Sequence, residues 1–253
     1  MIQTTAALRF EIKITMSTFR FQQFSVLQQH SGMKICTDAV LFGAMAPVGR
    51  GAQVLDIGTG TGLLALMAAQ LGADHVTAVE LTLEAFTEAA INFNNSPWAD
   101  RLEAVHQAIQ GFAAIQQYDL VISNPPFFDN HLKTADALRN TARHTDQLPF
   151  ADLLGVAGQL LSPQGLFYLL IPAHAVAKFS ALALTAGFHL IKQTDFRGFA
   201  HNEAKVSALT FSRTAAVFTR NVLTIYAARN VYSAASEAYL SDFLLRFEQS
   251  RQA

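Results

Sequence analysis

The run Val54-Leu55-Asp56-Ile57-Gly58-Thr59-Gly60-Thr61-Gly62 constrains what this chain can fold into more than any other segment. An apolar strand candidate, Gln53 to Ile57, passes directly into three alternate glycines, and a helical pattern then runs from Gly62 to Leu71. Glycines at this spacing permit positive φ and close approach of a ligand to the main chain, so a buried strand is expected to turn abruptly into a helix beside a nucleoside-type cofactor. A dinucleotide dehydrogenase spaces its glycines G-x-G-x-x-G, whereas here the third comes one residue early and Asp56 precedes the first. Taken alone, the segment reads equally well as a tight connection that binds nothing.

From Val54 to Ser123 short apolar runs alternate with helical stretches, the pattern of a parallel sheet covered by helices. The expected strands are Gln53 to Ile57, His75 to Glu80, Leu102 to His106 and Tyr118 to Ser123, with a helix from Leu83 to Phe93. A helix from Phe150 to Leu161, a strand from Gly165 to Ile171 and a helix from Ala173 to Ala186 follow, the last ending at Gly187. His189 to Arg197 and Val206 to Ser212, joined by the polar stretch Gly198 to Lys205, predict an antiparallel hairpin at the end of the sheet. Val222 to Tyr226 and a last helix from Glu237 to Phe247 form a tail. The expected division is a flexible extension over 1–16, a main domain over 17–213, and a strand and helix over 214–253 packed on that domain. Met16, just before the first patterned segment, is the expected start of translation.

Composition excludes several classes. Hydrophobic residues make up 51% of the 253, enough for a sizeable core, so a disordered chain is ruled out. Charged residues are only 15% with a net charge of -1, so any nucleic-acid contact must be a local patch. The single Cys36 offers neither an internal disulfide nor a multi-cysteine metal site, and no metal is expected. The longest stretch free of Asp, Glu, Lys and Arg, Leu153 to Ala177, is interrupted by Ser162-Pro163-Gln164-Gly165, a turn signal, so no membrane span is expected. The start of the chain lacks the pattern of a secretory signal, and the expected location is cytoplasmic.

Glu80 closes the second strand of the series, and the fourth, Tyr118 to Ser123, runs into Asn124-Pro125-Pro126-Phe127. That tetrapeptide resembles the N-P-P-F/Y motif of amino-group methyltransferases. The resemblance implies a substrate whose aromatic amino nitrogen shares its lone pair with the ring and must become more pyramidal before it attacks a methyl sulfonium. The Asn124 side-chain oxygen and the Pro125 carbonyl can each accept one of its N–H groups, stabilising the charge that develops on nitrogen. The prolines fix those acceptors in advance, and Phe127 offers a flat face for an unstacked base. A plain rigid turn is the alternative reading. Phe128 serves the base or the core equally well.

These two motifs, the glycine loop preceded by Asp56 and the tetrapeptide N-P-P-F, resemble those of class I amino-group methyltransferases. The resemblance implies a Rossmann-like α/β fold with a mostly parallel seven-stranded sheet, helices on both faces and a C-terminal antiparallel hairpin, and S-adenosylmethionine as cofactor. It implies that Gly58, Gly60 and Gly62 pass close to the methionine part, that Asp56 engages its ammonium and that Glu80 accepts both ribose hydroxyls. Upstream, Phe19-Arg20-Phe21-Gln22-Gln23-Phe24 and Met33-Lys34-Ile35-Cys36-Thr37-Asp38-Ala39-Val40-Leu41-Phe42-Gly43-Ala44 resemble the bacterial tRNA1(Val) (adenine-N6)-methyltransferases. Asn94-Asn95-Ser96-Pro97-Trp98 extends the likeness, which runs to Arg213 and weakens in the tail. The resemblance implies transfer of a methyl group to N6 of the adenosine just 3′ of the anticodon, with the tRNA anticodon loop as partner.

Lys34 and Thr37 are candidate cofactor or substrate contacts, as is Asp38, although Thr37-Asp38 reads equally well as a helix cap. Ala39 and Met45 depart from the family's Gly and Trp. Ala108 stands where the family places an acid near the cofactor adenine, so a backbone amide or Gln107 is expected to substitute. Between Lys178 and Arg229 seven basic residues face two acids, which predicts a phosphate-facing patch, and Lys133, Arg139, Arg143 and His144 could frame the pocket. A protein glutamine N5-methyltransferase shares the amide-nitrogen problem, but residues 19–44 argue against it. A ribosomal RNA guanine-N2 methyltransferase often has a duplicated domain for which this chain is short. A binding module without catalysis or a nicotinamide oxidoreductase gives Asn124 to Phe127 no purpose.

Overall fold

A computed structural model describes residues 17–29, 34–114, 116–125 and 148–251. The chain opens with a small hairpin, β1 (Thr18–Arg20) and β2 (Ser25–Leu27), then α1 (Thr37–Ala44). Next come β3 (Gln53–Ile57), α2 (Leu63–Leu71), β4 (His75–Glu80), α3 (Leu83–Asn94), β5 (Leu102–His106) and β6 (Tyr118–Ser123). The second half gives α4 (Phe150–Leu160), β7 (Leu161–Pro172), α5 (Val176–Thr185), β8 (His189–Arg197) and β9 (Val206–Ser212). It ends with β10 (Thr219–Thr224), β11 (Tyr226–Ala228), β12 (Val231–Tyr232) and α6 (Ala234–Leu240).

The central sheet has the order β10-β8-β9-β7-β6-β3-β4-β5, and only β9 runs against its neighbours. Its central strands read as unbroken apolar runs because both faces are covered. On β3, Val54 packs toward α1, α2 and α3, while Leu55 and Ile57 face α4 and α5, as the two-residue period of a strand requires. The sequence Leu63-Leu64-Ala65-Leu66-Met67-Ala68-Ala69 is buried all round, so α2 lies sunk between the sheet and α1.

The sheet is therefore Rossmann-like and mostly parallel, with the antiparallel β8–β9 pair spanning the residues expected for it. It gains an eighth strand beyond the expected seven, because the tail strand β10 pairs in parallel with β8. The Ser162-Pro163-Gln164-Gly165 run is no turn. It lies inside β7, where the pairing with β6 slips between Tyr118–Leu161 and Leu120–Leu166, so a turn-like composition marks a bulge. Gly165 is needed there, since a Cβ would sit 2.8 Å from the Tyr118 carbonyl oxygen.

The last helix starts earlier than expected and is shorter. Ser233 caps α6 by accepting from the Ser236 N–H at 3.1 Å, and the chain beyond Leu240 turns away to pair with the N-terminal hairpin. Gln22 Nε2 donates to the carbonyls of Ser241 and Leu244 at 2.8 Å each, and Phe21 bridges Leu244. Leu245–Arg251 then forms a short 3₁₀ segment. The expectations for residues 1–16, for Pro126, Phe127 and Phe128, and for Lys133, Arg139, Arg143 and His144 lie outside the described residues. Among the described residues no helix is long and apolar enough to cross a membrane.

Candidate functional site

In an open parallel sheet the crevice for a ligand forms at the carboxyl ends of the strands, where the strand order reverses. Here the reversal falls between β3 and β6, which pair in parallel with Ile57 opposite Ser123. Gly58 and Asn124 therefore leave the sheet side by side. The Ser123 hydroxyl donates to the Ile57 carbonyl at 2.9 Å in the buried interior, fixing that register where the two loops diverge.

Gly58, Gly60 and Gly62 have φ of 70°, 57° and 86°, the left-handed region that favours glycine. A Cβ on Gly58 or Gly60 would meet nothing within 4 Å, whereas one on Gly62 would lie 2.4 Å from the Phe93 ring. The first two glycines thus leave open space above the loop, and the third lets α2 pack against α3. Asp56 is 0% exposed. Its Oδ2 accepts from the Thr59 hydroxyl at 2.6 Å, and its Oδ1 has no hydrogen-bond partner. Burial pushes its carboxyl up to about 7, with Thr59 and the Ala65 backbone opposing the rise and Glu80 adding to it. A buried carboxylate oxygen without a donor is an expensive feature, and it fits a site whose donor arrives with a ligand.

Glu80 does more than the sequence suggests. Its Oε2 accepts from the Gly60 N–H at 2.9 Å, and its Oε1 accepts from the Leu81 N–H, the Thr82 N–H and the Thr82 hydroxyl at 2.9–3.0 Å. The carboxylate therefore pins the glycine loop, and Oε2 alone retains an uncrowded lone pair. Ala108 is exposed in the turn after β5. Gln107 next to it is committed, its amide donating to the Gly111 carbonyl at 2.6 Å and its backbone N–H to the Glu80 carbonyl at 3.0 Å.

Asn124 is half-buried and Pro125 buried at the mouth of the crevice. Lys34 is exposed and bonds the carbonyls of Gln28 and Gln29, so it closes its own loop rather than reaching the glycines. Thr37 does not cap α1; the cap position is Cys36, which makes no side-chain cap bond, and the Thr37 hydroxyl meets that of Tyr226 at 3.0 Å. Asp38 is raised by burial, with Lys205 opposing.

The predicted basic patch is dispersed. Because β9 runs antiparallel, Arg213 emerges at the amino edge, where it bonds the Gly158 carbonyl and covers the Phe188 ring. Arg220 pairs with buried Asp195 at 2.7 Å, and Arg197 is spent on the Thr224 hydroxyl. Only Lys205 and Arg229 of that set stand exposed on segments at the carboxyl edge beyond β8.

Two supporting residues escaped the sequence reading. Asn92 and Glu88 lie one turn apart on the buried face of α3. Asn92 exchanges two bonds with the Leu27 backbone and donates to the Thr61 carbonyl at 2.8 Å, and Glu88 accepts from the Gln29 N–H at 2.7 Å. They tie the N-terminal hairpin to the glycine loop. Polar residues at i and i+4 on an otherwise apolar helix face were the available signal. Among the described residues no group of three or more His, Cys, Asp or Glu could hold a metal ion.

The methyltransferase small domain family matches residues 34–177. A tRNA1(Val) (adenine(37)-N6)-methyltransferase of Flavobacterium psychrophilum is 40% identical over 232 residues, covering 90% of this chain and 99% of the relative. One of Phocaeicola vulgatus is 40% identical over 227 residues, covering 90% and 97%. A solved methyltransferase of Pyrococcus furiosus superposes with a TM-score of 0.56 at 21% identity, covering 76% of this chain and 90% of that one, a likeness of fold. With a crevice of this construction and relatives this similar over nearly their whole length, the chain belongs to the tRNA1(Val) (adenine(37)-N6)-methyltransferase family.

Proposed function

We propose that the protein transfers a methyl group from S-adenosylmethionine to N6 of adenine in tRNA, at the adenosine 3′ of the anticodon, and does so in the cytoplasm. One observation carries the reading: Asn124 and Gly58 leave neighbouring parallel strands together, so the acceptor for an amino group lies beside a loop built for a nucleoside cofactor.

The residues fit that cofactor. Asp56 Oδ1, buried without a donor, suits an ammonium group, and the open space over Gly58 and Gly60 suits close approach to the main chain. Glu80 Oε2 receives one ribose hydroxyl, and a second contact requires the Thr82 hydroxyl to turn away from Oε1. With Gln107 committed, a backbone amide of the turn at Ala108 takes the place of the family's acid. When bound, S-adenosylmethionine supplies a methyl group activated by positively charged sulfur.

Everything else is done by the chain. The Asn124 side-chain oxygen and the Pro125 carbonyl accept the two amino hydrogens, draw the nitrogen lone pair out of conjugation and stabilise the positive charge that grows there. Pro126 and Phe127 lie outside the described residues; the family motif assigns the first to stiffening the loop and the second to stacking on the base. No strong base is required, because the proton is acidic once the nitrogen is alkylated. An anticodon loop suits such a site, since its bases are already partly unstacked. The test is to incubate the protein with labelled cofactor and total tRNA from a strain lacking it, then map the product. N6-methyladenosine 3′ of the anticodon is expected; label on guanine, on protein or nowhere would refute the reading.

A further inference from the structure

The carboxyl edge of the sheet continues past Asn124 to a pile of aromatic rings for which methyl transfer itself has no use. After β8 the chain presents Phe199 and His201, their rings 5.7 Å apart and 4° from parallel. Phe199 lies 5.7 Å from Tyr226, Tyr226 stacks on Tyr232 at 5.3 Å and 17°, and Tyr232 leads to Phe247 at 6.3 Å. The Arg246 guanidinium covers Tyr232 at 5.0 Å. The two-residue turn between β11 and β12 places Arg229 at an exposed tip, with Asn230 at φ 61°.

The pile is held in place. Its Tyr226 hydroxyl meets Thr37, and the Tyr226 N–H donates to the Gly198 carbonyl at 2.9 Å. Tyr226, Tyr232 and Phe247 also rest on the core, which accounts for half of the feature. His201, however, is exposed and lies outside the core, so the flat imidazole on Phe199 is presented to solvent at this edge. Charges on these segments nearly cancel: Lys34, Lys205, Arg229 and Arg246 stand against Asp38, Glu203 and Glu248. Phosphate attraction is therefore weak, and stacking has to supply recognition.

We propose that this aromatic edge is the docking platform for the single-stranded loop of the RNA, with nucleotides flanking the target adenine stacked on His201 and Phe199. The proposal rests on the tRNA reading above. Three strand spacings separate β6 from β8, roughly 15 Å along the edge. That is too far for the reacting base itself and within reach of its neighbours in the loop.

The experiment measures RNA affinity and steady-state kinetics with an unmodified anticodon stem–loop for the wild type, His201→Ala, His201→Phe and Phe199→Ala. His201→Ala is expected to raise the RNA Kd and KM about five- to tenfold, the stacking of one base, with the change on KM rather than kcat. His201→Phe restores affinity, which a lost charge would not explain. If the wild type methylates the RNA and both alanine variants bind it equally well, the platform is refuted and the methyltransferase reading stands. If the wild type binds S-adenosylmethionine but neither binds nor methylates the RNA, both fall. Thermal unfolding of each variant guards against misfolding, and exposed His201 decides should Phe199→Ala prove unstable.

Discussion

Replacing Asp56 with Asn should stabilise the cofactor-free protein at neutral and alkaline pH while abolishing the advantage that cofactor confers. The carboxyl is wholly buried, and burial lifts it from 3.8 to about 7. Between those values the folded protein holds a proton that the unfolded chain has released, so this group's contribution to stability is full below about pH 4 and lost as pH rises through 7. A rise of about three units corresponds to roughly 4 kcal/mol at pH 8. Asparagine keeps the bond from Thr59 but sets an amide N–H where Oδ1 has no partner, a cost of about 1–3 kcal/mol. The net gain of about 1–3 kcal/mol raises Tm by roughly 2–10 °C for a chain of this size. Thermal unfolding at pH 5 and pH 8 without cofactor reads it: the variant should exceed the wild type at pH 8 and lose that lead at pH 5. A hundredfold excess of S-adenosylmethionine over its Kd then adds about 2.7 kcal/mol to the wild type and none to the variant. Parallel pH profiles for the two proteins would refute the assignment of a strained, ligand-awaiting carboxylate.

Gly62→Ala forces a side chain into φ 86° and onto Phe93, and should cost about 2–5 kcal/mol in urea unfolding. Gly58→Ala, with open space around it, should cost only the backbone strain of about 1–2 kcal/mol, so the two variants must separate clearly. Arg220→Ala leaves Asp195 with Gln193 and Ser207 alone. Burial works to raise Asp195, but the bonds from Gln193, Ser207 and Arg220 outweigh it and hold the carboxyl below its ordinary range. The contribution of Arg220 is therefore present above about pH 4 and lost as pH falls, and because its side chain is 62% exposed the variant should lose only about 1 kcal/mol at pH 7 and less in acid, by denaturant titration.

What could be read from the residues is what depends on local pattern. Val54-Leu55-Asp56-Ile57 announces a strand buried on both faces, and the three glycines announce the turn after it, because period and φ are properties of a few neighbouring residues. Ser162 to Gly165 misleads for the same reason: its composition is that of a turn, while the pairings of Leu161 and Leu166 with β6 on either side hold it in a bulged strand. The basic residues between Lys178 and Arg229 look like one patch in a row of letters. The reversal of β9 sends Arg213 to the far edge, a fact that only strand direction reveals. The grip of Glu80 on the glycine loop was hidden because three of its four donors are backbone N–H groups, which carry no side-chain signature. Asn92 and Glu88 were visible as polar residues on an apolar helix face, but their partners, Leu27, Gln29 and Thr61, lie far away in the chain.

The central physical claim is that fixed lone-pair acceptors at the end of β6 shape an amino nitrogen for attack. Asn124→Ala tests it most directly, by single-turnover methylation of an unmodified tRNA alongside calorimetric titration with S-adenosylmethionine. The account predicts a rate lower by about 100-fold or more, the scale of losing one charge-stabilising hydrogen-bonding group, with cofactor affinity within a few-fold of the wild type. Turnover at the wild-type rate, or a loss explained entirely by weaker cofactor binding, would contradict it.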